Sequence, residues 1–463
     1  MLHTTKTAVS STCLTATMFC QFFNNKLLLI SSNISSRLIF LSAPFVLPPI
    51  QPPLFNVFSA VSVTQADALL LSLSKPSPVD VIPVCLLKAC HKTFATLLAR
   101  LADASFTSGK FPEVYKSAQI SPLLKSPTLD VSSLSSYRPI SNLRSMGKLL
   151  ERLAQAQLRP HILSAPAFSP YQSAYRPYHS TETAALFVTN SLLRSTSPSL
   201  LVSLDLSAAF DCVSHSILLN RLSLDFGFSG LPLSWLNSYL SGRTQHVFWN
   251  SVLSSSSSVS IGVPQGSVLG PLLFCVYVSP VSRLLTSFGL FHHSYADDTT
   301  LILSVDCSSA VLRLLDQCTS ALCNWFLFNG LQLNPKKSEV LLVGTREKRK
   351  ILSLSLASGL AIAENPIDLS PTIKILGVIF DPALFFDSYI SEVFTVHVCQ
   401  LLSQGPRTHP SLSFSFLRKP CCLLHCILSF RLLQLYFEWP IVLQYPPLAN
   451  SSESGSQDRS RCW

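Results

Sequence analysis

A chain of 463 residues has room for two or three domain-sized units and a sizeable core. Its formal net charge of +10 suits a polyanionic partner, while 48% hydrophobic against 13% charged residues is apolar for a soluble enzyme. That apolarity leaves open membrane association, a surface made for a missing partner, or relaxed selection for solubility. The 14 cysteines follow no repeating pattern, which excludes a disulfide-stapled scaffold and reads as reduced thiols.

Residues 1–56 are rich in Ser, Thr, Asn and Pro and close on Leu47-Pro48-Pro49-Ile50-Gln51-Pro52-Pro53, the composition of a disordered arm or linker. Lys6 is followed by no continuous apolar core with a small-residue cleavage site, so no signal peptide is read and an intracellular location, cytoplasm or nucleus, is expected. Neither apolar stretch reads as a membrane span. Leu27–Ile50 is broken by Asn33, Arg37 and prolines, and Cys421–Tyr445 contains Arg431, Glu438 and Pro440. Cys421, Cys422, His425 and Cys426 match no zinc-module spacing.

Order begins near residue 57. Phe94, Leu97, Leu98 and Leu101 fall at helical spacing and Gly109 stops the helix. Lys110-Phe111-Pro112-Glu113 then leads to Ala118–Lys125. Tyr137-Arg138-Pro139-Ile140-Ser141-Asn142 then sets Arg138 beside a proline-fixed turn and opens a helix with Met146, Leu149, Leu150 and Leu153 on one face. In Gln172–Thr183, Ser180 reads as a helix cap. Leu201–Leu206 is a short buried strand carrying Asp205, and helices are expected over Ser214–Phe226 and Pro232–Leu240, stopped near Gly227 and Gly242. Gly262–Gly270 is glycine-rich and implies close backbone approach. Ser294–Leu303 reads as two strands meeting at a tight turn with Asp297 and Asp298 at its tip. A helix marked by Val311, Leu314, Leu315, Cys318, Leu322 and Trp325 ends at Asn329-Gly330.

An Asp-Asp pair is by itself a common surface turn. An unpaired carboxylate in a buried strand is costly, so Asp205 needs a partner or a metal. Setting its strand beside the Asp297 hairpin gathers carboxylates from distant sequence. Such oxygens suit Mg²⁺, which keeps water and shares its remaining positions with phosphates. Two such ions about 4 Å apart clamp the attacking and leaving oxygens of an in-line displacement. The constellation fits nucleotidyl transfer.

Three stretches carry a family resemblance. Tyr295-Ala296-Asp297-Asp298 resembles the catalytic box of a reverse transcriptase, Leu204-Asp205-Leu206-Ser207-Ala208-Ala209-Phe210-Asp211 its partner acidic strand, and Gly262-Val263-Pro264-Gln265-Gly266-Ser267 its Pro-Gln-Gly box. All three stand in the family's order, and their wording resembles the non-LTR (LINE-type) retrotransposon branch. The resemblance runs over about residues 57–390.

It implies a right-hand polymerase of α/β (α+β) class, with fingers over 57–200, a palm over 201–390, and an incomplete or degenerate thumb in 391–463. It implies an RNA-directed DNA polymerase that takes RNA template, DNA primer and dNTP, with two Mg²⁺ ions or Mn²⁺ in their place. Asp205, Asp297 and Asp298 become the metal-holding acids, and Lys337 in Asn334-Pro335-Lys336-Lys337 a proton donor to pyrophosphate. Lys125, Arg138, Gln265 and Gly266 become nucleotide-binding, with Phe210 against the sugar; a core phenylalanine is the alternative for Phe210. Arg176 becomes a template-phosphate contact. Ala174 and Tyr178 stand where small residues are usual and are expected to crowd a backbone turn. Lys374–Asp381 resembles the primer-grip hairpin. The family's endonuclease has no room ahead of residue 57, and a further element-encoded protein is conceivable as partner. The alternative reading is an inactive retroelement remnant that keeps some nucleic-acid binding.

Overall fold

The computed structural model describes residues 14–392 apart from 40, 42–47, 49, 306–308, 357–359 and 363–364. The expected degenerate thumb, the Cys421–Tyr445 stretch and its cysteine–histidine cluster lie outside the described residues. Among the described residues, no helix is long and apolar enough to cross a membrane.

Within 1–56, residues 16–38 form a helix where a linker was expected. Helix α1 (Ala16–Leu38) starts where the Thr15 hydroxyl accepts the Met18 amide. Its Phe19 is fully buried, 5.0 Å from the Tyr137 ring and 4.8 Å from Trp249. The Ser and Asn residues that resemble a linker occupy the solvent side of the same helix, so composition concealed an amphipathic element. The end of that segment is docked too: the Phe55 amide donates to Gly227 O at 2.9 Å, and Ser229 N donates back to Phe55 O at 3.1 Å.

Three helices follow: α2 (Val63–Leu71), opened by a Ser62/Gln65 capping box, α3 (Val84–Ala89) and α4 (His91–Ser108). α4 buries Ala95, Leu98, Ala99, Ala102 and Phe106 and stops at Gly109, whose φ of +63° is the left-handed cap. Leu97 faces solvent, so the packed face is turned from the expected one.

The first sheet runs β2–β1–β4–β5, with β6 also on β4. Its strands are β1 (Ser117–Leu124), β2 (Tyr137–Asn142), β4 (Arg243–Trp249), β5 (Val252–Leu253) and β6 (Ser257–Val259). β1 is antiparallel to β2 and parallel to β4. Arg138 lies within β2 opposite Leu123, not beside a turn, because Pro139 is accommodated in the strand. α1 covers this sheet, and Phe19 and Cys20 share a small core with Ala118, Ile120, Tyr137 and Val247.

The second sheet is antiparallel, in the order β7–β8–β3–β9: β7 (Phe291–Tyr295), β8 (Asp298–Ser304), β3 (Ser199–Leu204) and β9 (Glu339–Val343). β3 is paired on both edges, and its near-unbroken apolar run suits a strand covered on both faces. It begins at Ser199, so a division at 200/201 cuts through a strand. α5 (Ser145–Ser164) and α6 (Thr181–Leu193) precede β3, while α7 (His215–Leu224) and α8 (Gly230–Leu240) lead to β4. α9 (Gly270–Val278) and α10 (Pro280–Ser287) lead to β7, and α11 (Ser309–Phe328) follows β8. α9 has no polar side chain except its tyrosine hydroxyl, and it runs through the main core with Trp235, Tyr239, Phe274 and Tyr277 fully buried. A short hairpin pairs Ile373–Ile375 with Val378–Phe380.

Candidate active site

The β7–β8 hairpin turns in two residues. Tyr295 pairs with Asp298, leaving Ala296 and Asp297 at the tip. Ala296 has φ +57°, a conformation that costs a non-glycine residue about 1 kcal/mol. Gln172 holds it there. The Gln172 carboxamide accepts the Ala296 amide at 2.8 Å and donates to the Ala296 carbonyl at 3.2 Å. Main-chain bonds from Ser173 N to Ser294 O and from Ser294 N to Tyr171 O, both 3.0 Å, fasten the same two segments. The turn that presents Asp297 is thus gripped from a loop far away in sequence.

Asp205 follows the last residue of β3. Leu204 lies opposite Thr299, so one further step of that register sets Asp205 against Asp298. Burial and neighbouring charge perturb the two acids of the hairpin. Burial raises the Asp297 carboxyl above its ordinary value and the Asp205 charge adds to this, against a local backbone hydrogen bond. Burial, then Asp297 and Asp205, push Asp298 up to about 6. The segment after α11 wraps Asp205: Asn334 N donates to its carbonyl at 2.9 Å, Asn334 Nδ2 reaches Oδ2 at 3.3 Å, and Lys337 Nζ stands 3.9 Å from Oδ2.

Among the described residues, no three His, Cys, Asp or Glu side chains already form a cage for one ion. The donor chemistry nevertheless fits hard divalent cations. It consists of partly buried carboxylate oxygens, and added positive charge would offset the repulsion that raises Asp297 and Asp298.

The Pro-Gln-Gly box sits between the sheets. Ser141 N of β2 donates to Gln265 O at 3.0 Å. Gly266 has φ +114°, and a Cβ there would stand 2.6 Å from Ser141 O, so glycine is what permits this approach. Gln265 Nε2 donates to both Asp211 oxygens at 2.9 Å. Phe210 stacks on Phe274 at 4.4 Å and is partly accessible. Lys125 Nζ donates to Ser135 O at 2.6 Å, and Arg138 is exposed on β2. Lys125, Arg138, Asp211 and Gln265 line one cavity of about 350 Å³.

Two positions of this loop take on a structural part. Arg176 Nη1 donates to the carbonyls of Pro170 and Gln172 at 3.0 and 3.2 Å, which staples its own loop. Ala174 is buried without a positive φ; the left-handed residues of that loop are Tyr175 (φ 59°) and Tyr178 (φ 63°), the latter with its side chain in solvent.

Sequence reading missed Glu151 and the role of Gln172. Fully buried in α5, Glu151 accepts from Val268 N at 2.8 Å, Leu269 N at 3.0 Å and the Tyr239 hydroxyl at 3.1 Å, holding the start of α9 behind the box. A glutamate flanked by Leu150 and Arg152 in a helix carries no sequence signal for that.

A two-sheet α/β core with acids at one sheet end and a Pro-Gln-Gly turn between the sheets defines a polymerase-like class. The family model described as reverse transcriptase (RNA-dependent DNA polymerase) matches residues 124–380, more than half of the chain, and the chain belongs to that family. Its relatives identify the non-LTR branch. It is 30% identical to the probable RNA-directed DNA polymerase from transposon BS of Drosophila melanogaster, over 58% of this chain and 30% of that protein. It is 28% identical to the RNA-directed DNA polymerase from mobile element jockey of the same species, over 72% of this chain and 37% of that protein. The probable RNA-directed DNA polymerase from transposon X-element, also of Drosophila melanogaster, is 28% identical over 68% of this chain and 34% of its own length. The chain thus spans about a third of the length of these curated relatives.

Proposed function

We propose that this chain is the polymerase core of a non-LTR retrotransposon reverse transcriptase, extending a DNA primer on an RNA template by nucleotidyl transfer from dNTP to the primer 3′-hydroxyl. The observation that carries this reading is the pairing of β3 with β8, which joins Asp205 to the Asp297–Asp298 turn. In this reading the first sheet and its helices are the fingers and the second sheet is the palm.

Asp205 and Asp297 hold the divalent ions, with Asp298 beside them. When bound, two Mg²⁺ ions supply charge neutralisation at the attacking and leaving oxygens. Lys125 and Arg138 meet the triphosphate, and Arg138 is able to do so bidentately. Gln265 and Gly266 form the floor under the nascent base pair, oriented by Asp211 and by Ser141. Phe210 faces the sugar. Lys337, whose ammonium stands beside Asp205, gives a proton to the departing pyrophosphate. Template and primer are held through phosphates and stacking, inside the cell where both occur.

Primer extension by the purified chain on an RNA template tests this. Mg²⁺-dependent extension, lowered at least about 10²-fold in Asp297→Asn, is the expected result. Salt-sensitive RNA binding without extension would identify an inactive remnant instead.

A further inference from the structure

We propose that Lys26, on the helix that lies ahead of the family-matched region, is a third phosphate-binding side chain of the nucleotide pocket, reaching the triphosphate together with Lys125 and Arg138. The inference rests on the polymerase reading above and deepens it at the same site.

The geometry comes first. The 350 Å³ cavity holding Lys125, Arg138, Asp211 and Gln265 has α1 as one wall, and Lys26 is the charged residue that α1 contributes to it. A volume of this size lies in the range of small-ligand sites. α1 is about 34 Å long at 1.5 Å per residue and is fastened on both sides of the cavity. Phe19 and Cys20 are buried on the first sheet. Ile34 is buried in the main core, and Arg37 Nη2 reaches Cys323 Sγ of α11 at 3.4 Å. Lys26 lies between these anchors, so its stem is carried by a fixed backbone while its head group stays exposed.

Charge supplies the second argument. α1 contains Lys26 and Arg37 and no acid. The cavity therefore collects Lys26, Lys125, Arg138 and Arg243 against one carboxylate, Asp211, which already accepts from Gln265 at both oxygens. Among the described residues, Lys26 has no ion-pair partner within 4 Å. Burial, and next the Lys26 charge, hold the Lys125 ammonium below its ordinary range, with Lys337 and Arg138 adding to the repulsion. Cations held this close are relieved by a polyanion with several oxygens, and a triphosphate has that character.

The test uses the full chain with Lys26→Gln and Lys26→Arg. Binding of inorganic tripolyphosphate and of dTTP is measured calorimetrically without nucleic acid, and dTTP KM, kcat and template–primer Kd in primer extension. Lys26→Gln should weaken tripolyphosphate and dTTP binding about five- to tenfold and raise KM by a similar factor, as loss of one charge-assisted contact implies. kcat should stay within about twofold and template–primer Kd unchanged, and Lys26→Arg should retain the wild-type values. Unchanged tripolyphosphate binding, no such binding by the wild type, or a defect confined to template–primer Kd would each overturn the proposal. A wild-type chain that binds tripolyphosphate but extends no primer would sink the polymerase reading and leave the phosphate contact of Lys26 to be judged by the calorimetry alone.

Discussion

Gln265 and Asp211 show how much of this site depends on single side chains that touch none of Asp205, Asp297 and Asp298. Burial lifts the Asp211 carboxyl from an ordinary 3.8 to about 6, despite the opposing pull of the Gln265 amide and the Lys26 charge. With the native pKa above the unfolded one, the folded state binds the proton more tightly. Stability contributed by this group is therefore full below about pH 4 and is lost as pH rises towards 6. Thermal melts from pH 4 to 7 should show the wild type losing ground to Asp211→Asn across that window and running parallel to it above. Gln172→Ala should strip the Ala296 amide and carbonyl of their partners, costing about 1–3 kcal/mol in urea unfolding. Loosening the turn that aims Asp297 should also cut extension by roughly 10²-fold, more than the stability loss alone explains. At this scale the acids were legible in the sequence because a carboxylate at the end of a buried apolar strand is costly, whereas the Asp-Asp pair alone reads as an ordinary surface turn. The Gln172 clasp and the buried Glu151 were not, since an amide or acid in an ordinary-looking segment acquires its meaning only from what tertiary packing brings against it.

Elements were read well where periodicity was strong and poorly where composition spoke louder. The α11 stop at Asn329-Gly330 follows its local signal, and the β7–β8 hairpin does so with its tip one residue earlier than expected, Ala296–Asp297 with Asp298 already in β8; the Ile373–Phe380 hairpin matches the family resemblance. α1 did not, because its serines and asparagines line the solvent side of a helix whose apolar side rests on a sheet assembled from strands far later in the chain, Ser117–Leu124 and Arg243–Trp249 among them. Phe19→Ala should loosen the N-terminal half of α1. Hydrogen exchange near residues 16–24 should rise sharply while the half that carries Ile34, packed in the main core, and the second sheet keep their protection. The box between the sheets is equally local in its tolerance. Gly266→Ala combines an unfavourable φ with a 2.6 Å clash against Ser141 O, so extension should fall with little change in the melting of α9, which Glu151 holds independently.

For the molecule as a whole, the excess of ten positive charges predicts association with RNA that weakens steeply with salt. Binding measured by filter retention should fall at least about tenfold between 50 and 200 mM salt, and a flat response would remove the polyanion argument. The four-stranded sheet carries another consequence, for biosynthesis. Its middle strand, Ser199–Leu204, is translated well before either neighbour, Asp298–Ser304 or Glu339–Val343, so both of its edges leave the ribosome bare. A growing chain stalled anywhere in between displays an apolar ribbon with no ladder to join, the species on which chaperones act and from which aggregates start.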